Sequence, residues 1–201
     1  DMKEDMGGMR RFMPKTFVTF VICTGALIGL FLNIVATNTA LTLEQLGEMA
    51  GRPVTADDVE PGTWALAEAG RSVTALQCLE TLHAAHAWSR RMLSWWADGF
   101  DLLVTPTLAQ LPLPIGAIRN NLDSPMDPMR VAGDFVAFTT AYNVSGQPAI
   151  SLPLHWTNDG IPVGIQLVAG YGREDLLIAI AAQLEEAMPW RDRRPVTGDV
   201  G

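Results

Sequence analysis

Residues 143–170 read NVSGQPAISLPLHWTNDGIPVGIQLVAG, and the fold turns on how that stretch divides. PAISLPL (148–154) and PVGIQLVAG (162–170) are apolar runs of strand length. HWTNDGI between them carries Asn158, Asp159 and Gly160, residue types that a tight turn selects because they tolerate positive φ or bond their own backbone. The spacing predicts a β-hairpin, with His155 and Trp156 at its turn.

Downstream, REDLLIAIAAQLEEAM (173–188) places Leu176, Leu177, Ile180 and Leu184 at helical spacing, with acidic residues in the first turn and Pro189 beyond its end. Upstream, MRVAGDFVAFTTAYN (129–143) has helical spacing, and FDLLVTPT (100–107) reads as a short buried strand stopped at Pro106. The segment between them, Leu108 to Met129, contains Pro112, Pro114, Pro125 and Pro128. It is too long for an ordinary connection, which makes it a functional or a mobile loop. Strands alternating with helices over this half predict an α/β domain, a layered mixed sheet flanked by helices.

The first half reads as helical. NTALTLEQLGEMA (38–50) precedes Gly51 and Pro53. TADDVEPGTWALAEAG (55–70) offers Thr55 and Asp57 as caps, Pro61 near a helix start and Gly70 as a stop. From Thr74 to Gly99 a long amphipathic helix is expected, with Leu76, Leu79, Leu82, His86, Met92, Leu93 and Trp96 on its apolar face. Earlier still, Thr16–Ala36 carries no charge and is long enough to cross a bilayer, with Arg10, Arg11 and Lys15 before it. Its threonines, glycines and Asn33 dilute that signal, so a buried core helix competes with a membrane span; no small-residue cleavage pair follows to mark a signal peptide.

The chain has 201 residues, 48% apolar and 18% charged, enough for one sizeable core or two small ones. Its net charge of −8, with Lys3 and Lys15 the only lysines, argues against nucleic acid or an anionic membrane surface as partner. Cys23 and Cys78 form no zinc or CxxC spacing, which points to no disulfide framework, no metal and a cytoplasmic setting.

Glu80, His83 and His86 share a helical stripe resembling half of a carboxylate-bridged metal site. No second Glu-x-x-His exists to complete it, so a hydrogen-bonded or solvent-facing histidine pair is the expectation. There is no Gly-x-Ser-x-Gly elbow, and Ser145 in NVSGQ fits a turn or cap serine better than an activated nucleophile. Thr105 and Thr107 flank Pro106 at a strand end, where α/β folds open onto ligand crevices. GYGRED has neither the spacing nor the lysine of a phosphate loop.

Three stretches, GRPVTADDVEPGTWALAEAGRSV (51–73), FDLLVTPTLAQLPLPIG (100–116) and AYNVSGQPAISLPLHWTNDGIPVGIQLVAGYGREDLLIAIAAQLEEAMPW (141–190), together resemble the C-terminal part of amidase-signature hydrolases. The nearest subgroup in pattern is the 6-aminohexanoate cyclic-dimer hydrolase type. The resemblance implies residues 33–201 as the C-terminal part of one amidase-like domain, with 1–32 an unmatched apolar segment. It implies hydrolysis of linear or cyclic amides by a Ser, cis-Ser and Lys triad, and no cofactor. All three triad residues belong to the family's N-terminal half, so no catalytic residue carries over to this chain.

What carries over is a scaffold and one wall of an acyl pocket. Candidates for that wall, chosen by their place at loops and strand ends, are Thr105, Thr107, Asn143, Ser145 and Gln147. The implied partners are a small-molecule amide in the complete enzyme and either the missing N-terminal half or further copies of the chain.

Overall fold

In the computed structural model, residues 14–193 are described, with side chains from Gly29 onward. A helix of 37 residues, α1 (Pro14–Ala50), leads into a short 3-10 turn at Ala56–Asp58 and then α2 (Pro61–Arg71) and α3 (Ala75–Ser94). Strand β1 (Leu102–Pro106) follows, then α4 (Asp127–Phe135), α5 (Thr140–Ser145), β2 (Ala149–Trp156), β3 (Pro162–Ala169) and α6 (Glu174–Ala187).

The helical half is built on small residues. Ala36, Ala40 and Leu43 are buried on α1 at the i, i+4, i+7 spacing that keeps one face together, and Ala67 of α2 is fully buried against them, with Val54, Val59 and Trp64 packed around. Gly70, expected as a helix stop, lies inside α2, which runs on to Arg71. A Cβ at residue 70 would collide with the Ala36 backbone carbonyl, so this glycine is the point where α1 and α2 cross in backbone contact. Ala36, the last residue of the uncharged segment, thus belongs to the helical core, with Ile34 and Val35 half-buried and Asn33 exposed; Thr16–Ile28 fall outside the residues with described side chains. Among the described residues no helix is long and apolar enough to cross a membrane.

Thr74 opens α3 with a capping box: its hydroxyl accepts from the Gln77 amide (3.2 Å), and the Gln77 side chain accepts from the Thr74 amide (2.9 Å). The buried face of α3 is Thr81, Ala85 and Trp88; of the expected face, Met92 and Trp96 pack against the core, whereas Leu76, Leu79 and Leu82 are exposed. Leu76 and Leu79 are 67% and 54% exposed, and His86 is exposed as well. Thr81 and Ala85 let α3 pack closely on its neighbours, Trp88 fills the core beside Ala141, Tyr142 and Val168, and the leucines are left exposed. Gly99, at φ +90°, ends the 3-10 turn that extends α3, as its position predicted.

The hairpin forms as read. Gly160 takes φ +82°. The Thr157 amide donates to the Ile161 carbonyl, and the Ile161 amide returns to the Thr157 hydroxyl, each at 3.0 Å. β2 runs two residues past its apolar run, so His155 and Trp156 lie within it instead of in the turn, past a register shift between Leu152 and His155. The sheet order is β1-β3-β2, with both neighbours antiparallel to the central β3. β1, expected as a buried strand, is an edge strand with no fully buried residue, because only β3 pairs with it and Val104 faces out. One face packs against α6 through Leu152, Leu167, Ala169 and Leu177. The other carries Val168 against Trp88, Ala141 and Tyr142 from α3 and α5.

The single helix expected over 129–143 is broken. α4 stops at Phe135, and the Val136 carbonyl accepts from the hydroxyls of Thr139 (3.3 Å) and Thr140 (3.1 Å), side-chain bonds that compete with helix continuation. The long loop before α4 holds no helix or strand, and the Ala109 amide ties its start to the Phe135 carbonyl (3.0 Å).

Candidate functional site

Residues two apart on a strand share a face, and facing partners in an antiparallel pair do too. Thr105 opposes Gln166 across β1 and β3, and Ser151 opposes Gln166 from β2. Thr105, Gln166 and Ser151, with Thr107 and Gly164 one step further along, therefore form a polar stripe on the α5 face of the sheet, at the end that the helices leave open.

Two hydrogen-bonded groups make up the stripe. Gln166, 4% exposed, donates through Nε2 both to Thr105 Oγ1 and to the Phe138 carbonyl, each at 3.1 Å. The helix break before α5 frees that carbonyl, so Gln166 fastens the break to the sheet. Beyond it, Thr107 Oγ1 and Ser151 Oγ meet at 2.6 Å although they stand on the two outer strands. They reach each other because the residue between them is Gly164, where a Cβ would lie 2.7 Å from the Ser151 hydroxyl and 2.8 Å from that of Thr107.

The remaining candidates lie at the opposite end of β3. Ser145 closes α5 and Gly146 follows at φ +71°, which identifies Ser145 as a helix-end serine. Its buried hydroxyl donates to Gln147 Oε1 (3.0 Å), and Gln147 is 5% exposed. Asn143 is exposed. The structure thus joins Thr105 and Thr107 in one stripe, pairs Ser145 with Gln147 separately, and leaves Asn143 outside both. Ser151, Gly164 and Gln166 were missed. Their signal was present, since Gly164 and Gln166 in PVGIQLVA and Ser151 in AISLPL interrupt apolar strands on one face at period two.

No hydroxyl in either group bonds a histidine or an amine, so neither group holds a base-activated nucleophile. Tyr142 is the site's one neighbour with a resolved shift: burial beside Trp88 and Val168 pushes its phenol up to about 12. Glu80, His83 and His86 stay exposed, and no group of metal-ligating side chains forms among the described residues.

Next to the stripe, the loop after β1 folds over α4. Pro112, Leu113, Pro114 and Ile115 face Phe135 and Val136 across an uncharged groove of about 410 Å³.

The profile of the family described as Amidase matches residues 31–178. The chain belongs to this amidase family. It is 40% identical over 170 residues to a 6-aminohexanoate-cyclic-dimer hydrolase of Pseudomonas sp. (strain NK87), a match covering 82% of this chain and 34% of that protein. A solved structure of 6-aminohexanoate cyclic dimer hydrolase superposes with a TM-score of 0.77 at 39% identity, covering 82% of this chain and 35% of the other. A structure of the same kind of enzyme complexed with substrate gives 0.77 at 37% identity, covering 84% and 36%. The chain spans about a third of the length of the relatives it matches. Its three-stranded sheet flanked by helices is part of the amidase fold.

Proposed function

We propose that this amidase-family chain is the C-terminal portion of an enzyme that hydrolyses linear or cyclic amides, and that a Ser, cis-Ser and Lys triad is supplied by the part of the fold it does not contain. The observation that carries the reading is the groove of Pro112–Ile115, Phe135 and Val136: its lining side chains are apolar, and the Thr105, Thr107 and Ser151 hydroxyls, with the Gln166 amide, begin where β1 runs into its loop. Such a wall suits the aliphatic part of an acyl group, with hydroxyls available to an amide at its end. The catalytic step needs an activated nucleophile and an oxyanion site, and no hydroxyl of this stripe has a base beside it.

Thr105 and Thr107 are the pocket-wall residues in this reading. Ser145, Gln147 and Asn143 support it at most through the placement of α5. The substrate class, an amide with an unbranched aliphatic acyl chain, agrees with the substrate named for the relatives. A cytoplasmic setting agrees with Cys78, which has no disulfide partner among the described residues. The open side of the domain favours an added partner, either the complementary amidase portion or a second copy. Val104 on β1 is 59% exposed, Leu76 and Leu79 on α3 are exposed too, and these side chains would gain from cover.

The test is amide hydrolysis over a panel of aliphatic and aryl amides, by this chain alone and after mixing with an amidase portion carrying the triad. Activity on mixing only, strongest for aliphatic amides, is the expected outcome. Hydrolysis by the chain alone, insensitive to serine-directed inhibitors, would overturn the reading. A folded chain inactive in both arms would favour a partner-binding protein derived from an amidase.

A further inference from the structure

At the far end of β2, on the side of the sheet that α6 covers, a groove of about 510 Å³ is lined by Leu154, His155, Trp156, Met188, Pro189 and Arg193. The register shift between Leu152 and His155 re-aims this end of the strand away from the alternation of the rest. Trp190, packed into the core under α6, anchors the chain there, and the Arg193 amide closes a turn onto the Trp190 carbonyl (3.0 Å). That turn sets the Arg193 guanidinium 4.2 Å above the Trp156 ring.

A guanidinium stacked on an indole keeps its N–H donors free in its own plane, and that planar fork matches a carboxylate. Among the described residues Arg193 has no ion-pair partner, although the protein as a whole is strongly acidic. Arg191, Asp192, Glu185 and Glu186 stand nearby in the chain and are exposed. Leu154, Met188 and Pro189 add an apolar floor, and His155 adds an imidazole at its rim.

We propose that this groove is a second ligand site, separate from the hydroxyl stripe, which takes a straight-chain monocarboxylate: the carboxylate on Arg193, the aliphatic stem against Leu154, Met188 and Pro189. The site stands on its own geometry and does not depend on the amidase reading.

The test is a titration of the chain with sodium hexanoate, followed through the Trp156 indole N–H in two-dimensional NMR and assigned with Trp156→Phe. Saturable shifts are expected, with hexanamide (no charge) and acetate (no stem) both much weaker. Arg193→Gln is expected to weaken hexanoate about tenfold or more, Arg193→Lys less. Thr107→Val, at the other site, is expected to leave the titration unchanged. The absence of saturation, equal binding by Arg193→Gln with its remaining spectrum native, or loss of binding in Thr107→Val would each overturn the proposal.

Discussion

The hydroxyls of Thr107 and Ser151 touch at 2.6 Å across a strand that separates their backbones, and they do so through the space that Gly164 leaves empty. A methyl group at residue 164 would sit between them, within 2.8 Å of both oxygens. Gly164→Ala is therefore expected to part the pair and to destabilise the fold by about 1–3 kcal/mol, the usual cost of overpacking. Urea unfolding measures it. In a Ser151→Ala background one of the two clashes is relieved, so the same substitution is expected to cost less there.

Gly70→Ala tests the crossing of α1 and α2. The added Cβ meets the Ala36 carbonyl and the Thr37 amide nitrogen, backbone atoms that cannot rotate aside. The helices must separate, exposing Ala40, Leu43 and Ala67. A loss of about 3 kcal/mol or more is expected, against a gain of about 1 kcal/mol for the same exchange in an exposed helix interior. Thermal unfolding followed by circular dichroism distinguishes the two signs.

The hairpin, the position of β1, the end of α3 at Gly99 and α6 were legible in the sequence because each rests on local chemistry: turn residues, a left-handed glycine, a strand stopped at proline; the burial of β1 was not, since an edge strand differs from an inner one only in its neighbours. The buried face of α3 was not, since hydrophobicity alone favours Leu76 and Leu79 over Thr81 and Ala85, and only a close-packed neighbour reverses that order. Gly70 was misread for the same reason, as a residue that looks like a stop and serves a contact 34 positions away in the chain. The break before α5 hides in threonines that suit either a helix or a bond to their own backbone. Of the polar stripe, Thr105 and Thr107 are singled out by strand-end placement alone. Gln166 and Ser151 needed the register of three strands.

Gln166→Leu is expected to cost about 1–3 kcal/mol, because it leaves the Phe138 carbonyl without its donor in a buried setting. Gln166→Glu is expected to be worse near neutral pH, since a carboxylate brings a second acceptor to that carbonyl. Hydrogen exchange of the α5 amides is the measurement: both variants are expected to speed it more than that of α6, which lies on the opposite face of the sheet. Uniform acceleration in α5 and α6 would show that Gln166 does not hold the break.

Tyr142 makes stability depend on alkaline pH. Its phenol titrates near 10 in an unfolded chain and is pushed up to about 12 in the fold by burial. Between those values the unfolded state gives up a proton that the folded state keeps, so stability is complete below about pH 10 and falls as pH rises toward 12. The phenol oxygen is also buried without a hydrogen-bond partner among the described residues. Tyr142→Phe removes both the titration and the unpaired group while keeping the ring against Trp88 and Val168. The variant is expected to match or exceed the parent in stability at neutral pH and to lose less between pH 10 and 12, read from urea midpoints across that range. A parent and variant that decline in parallel would place the alkaline sensitivity elsewhere in the chain.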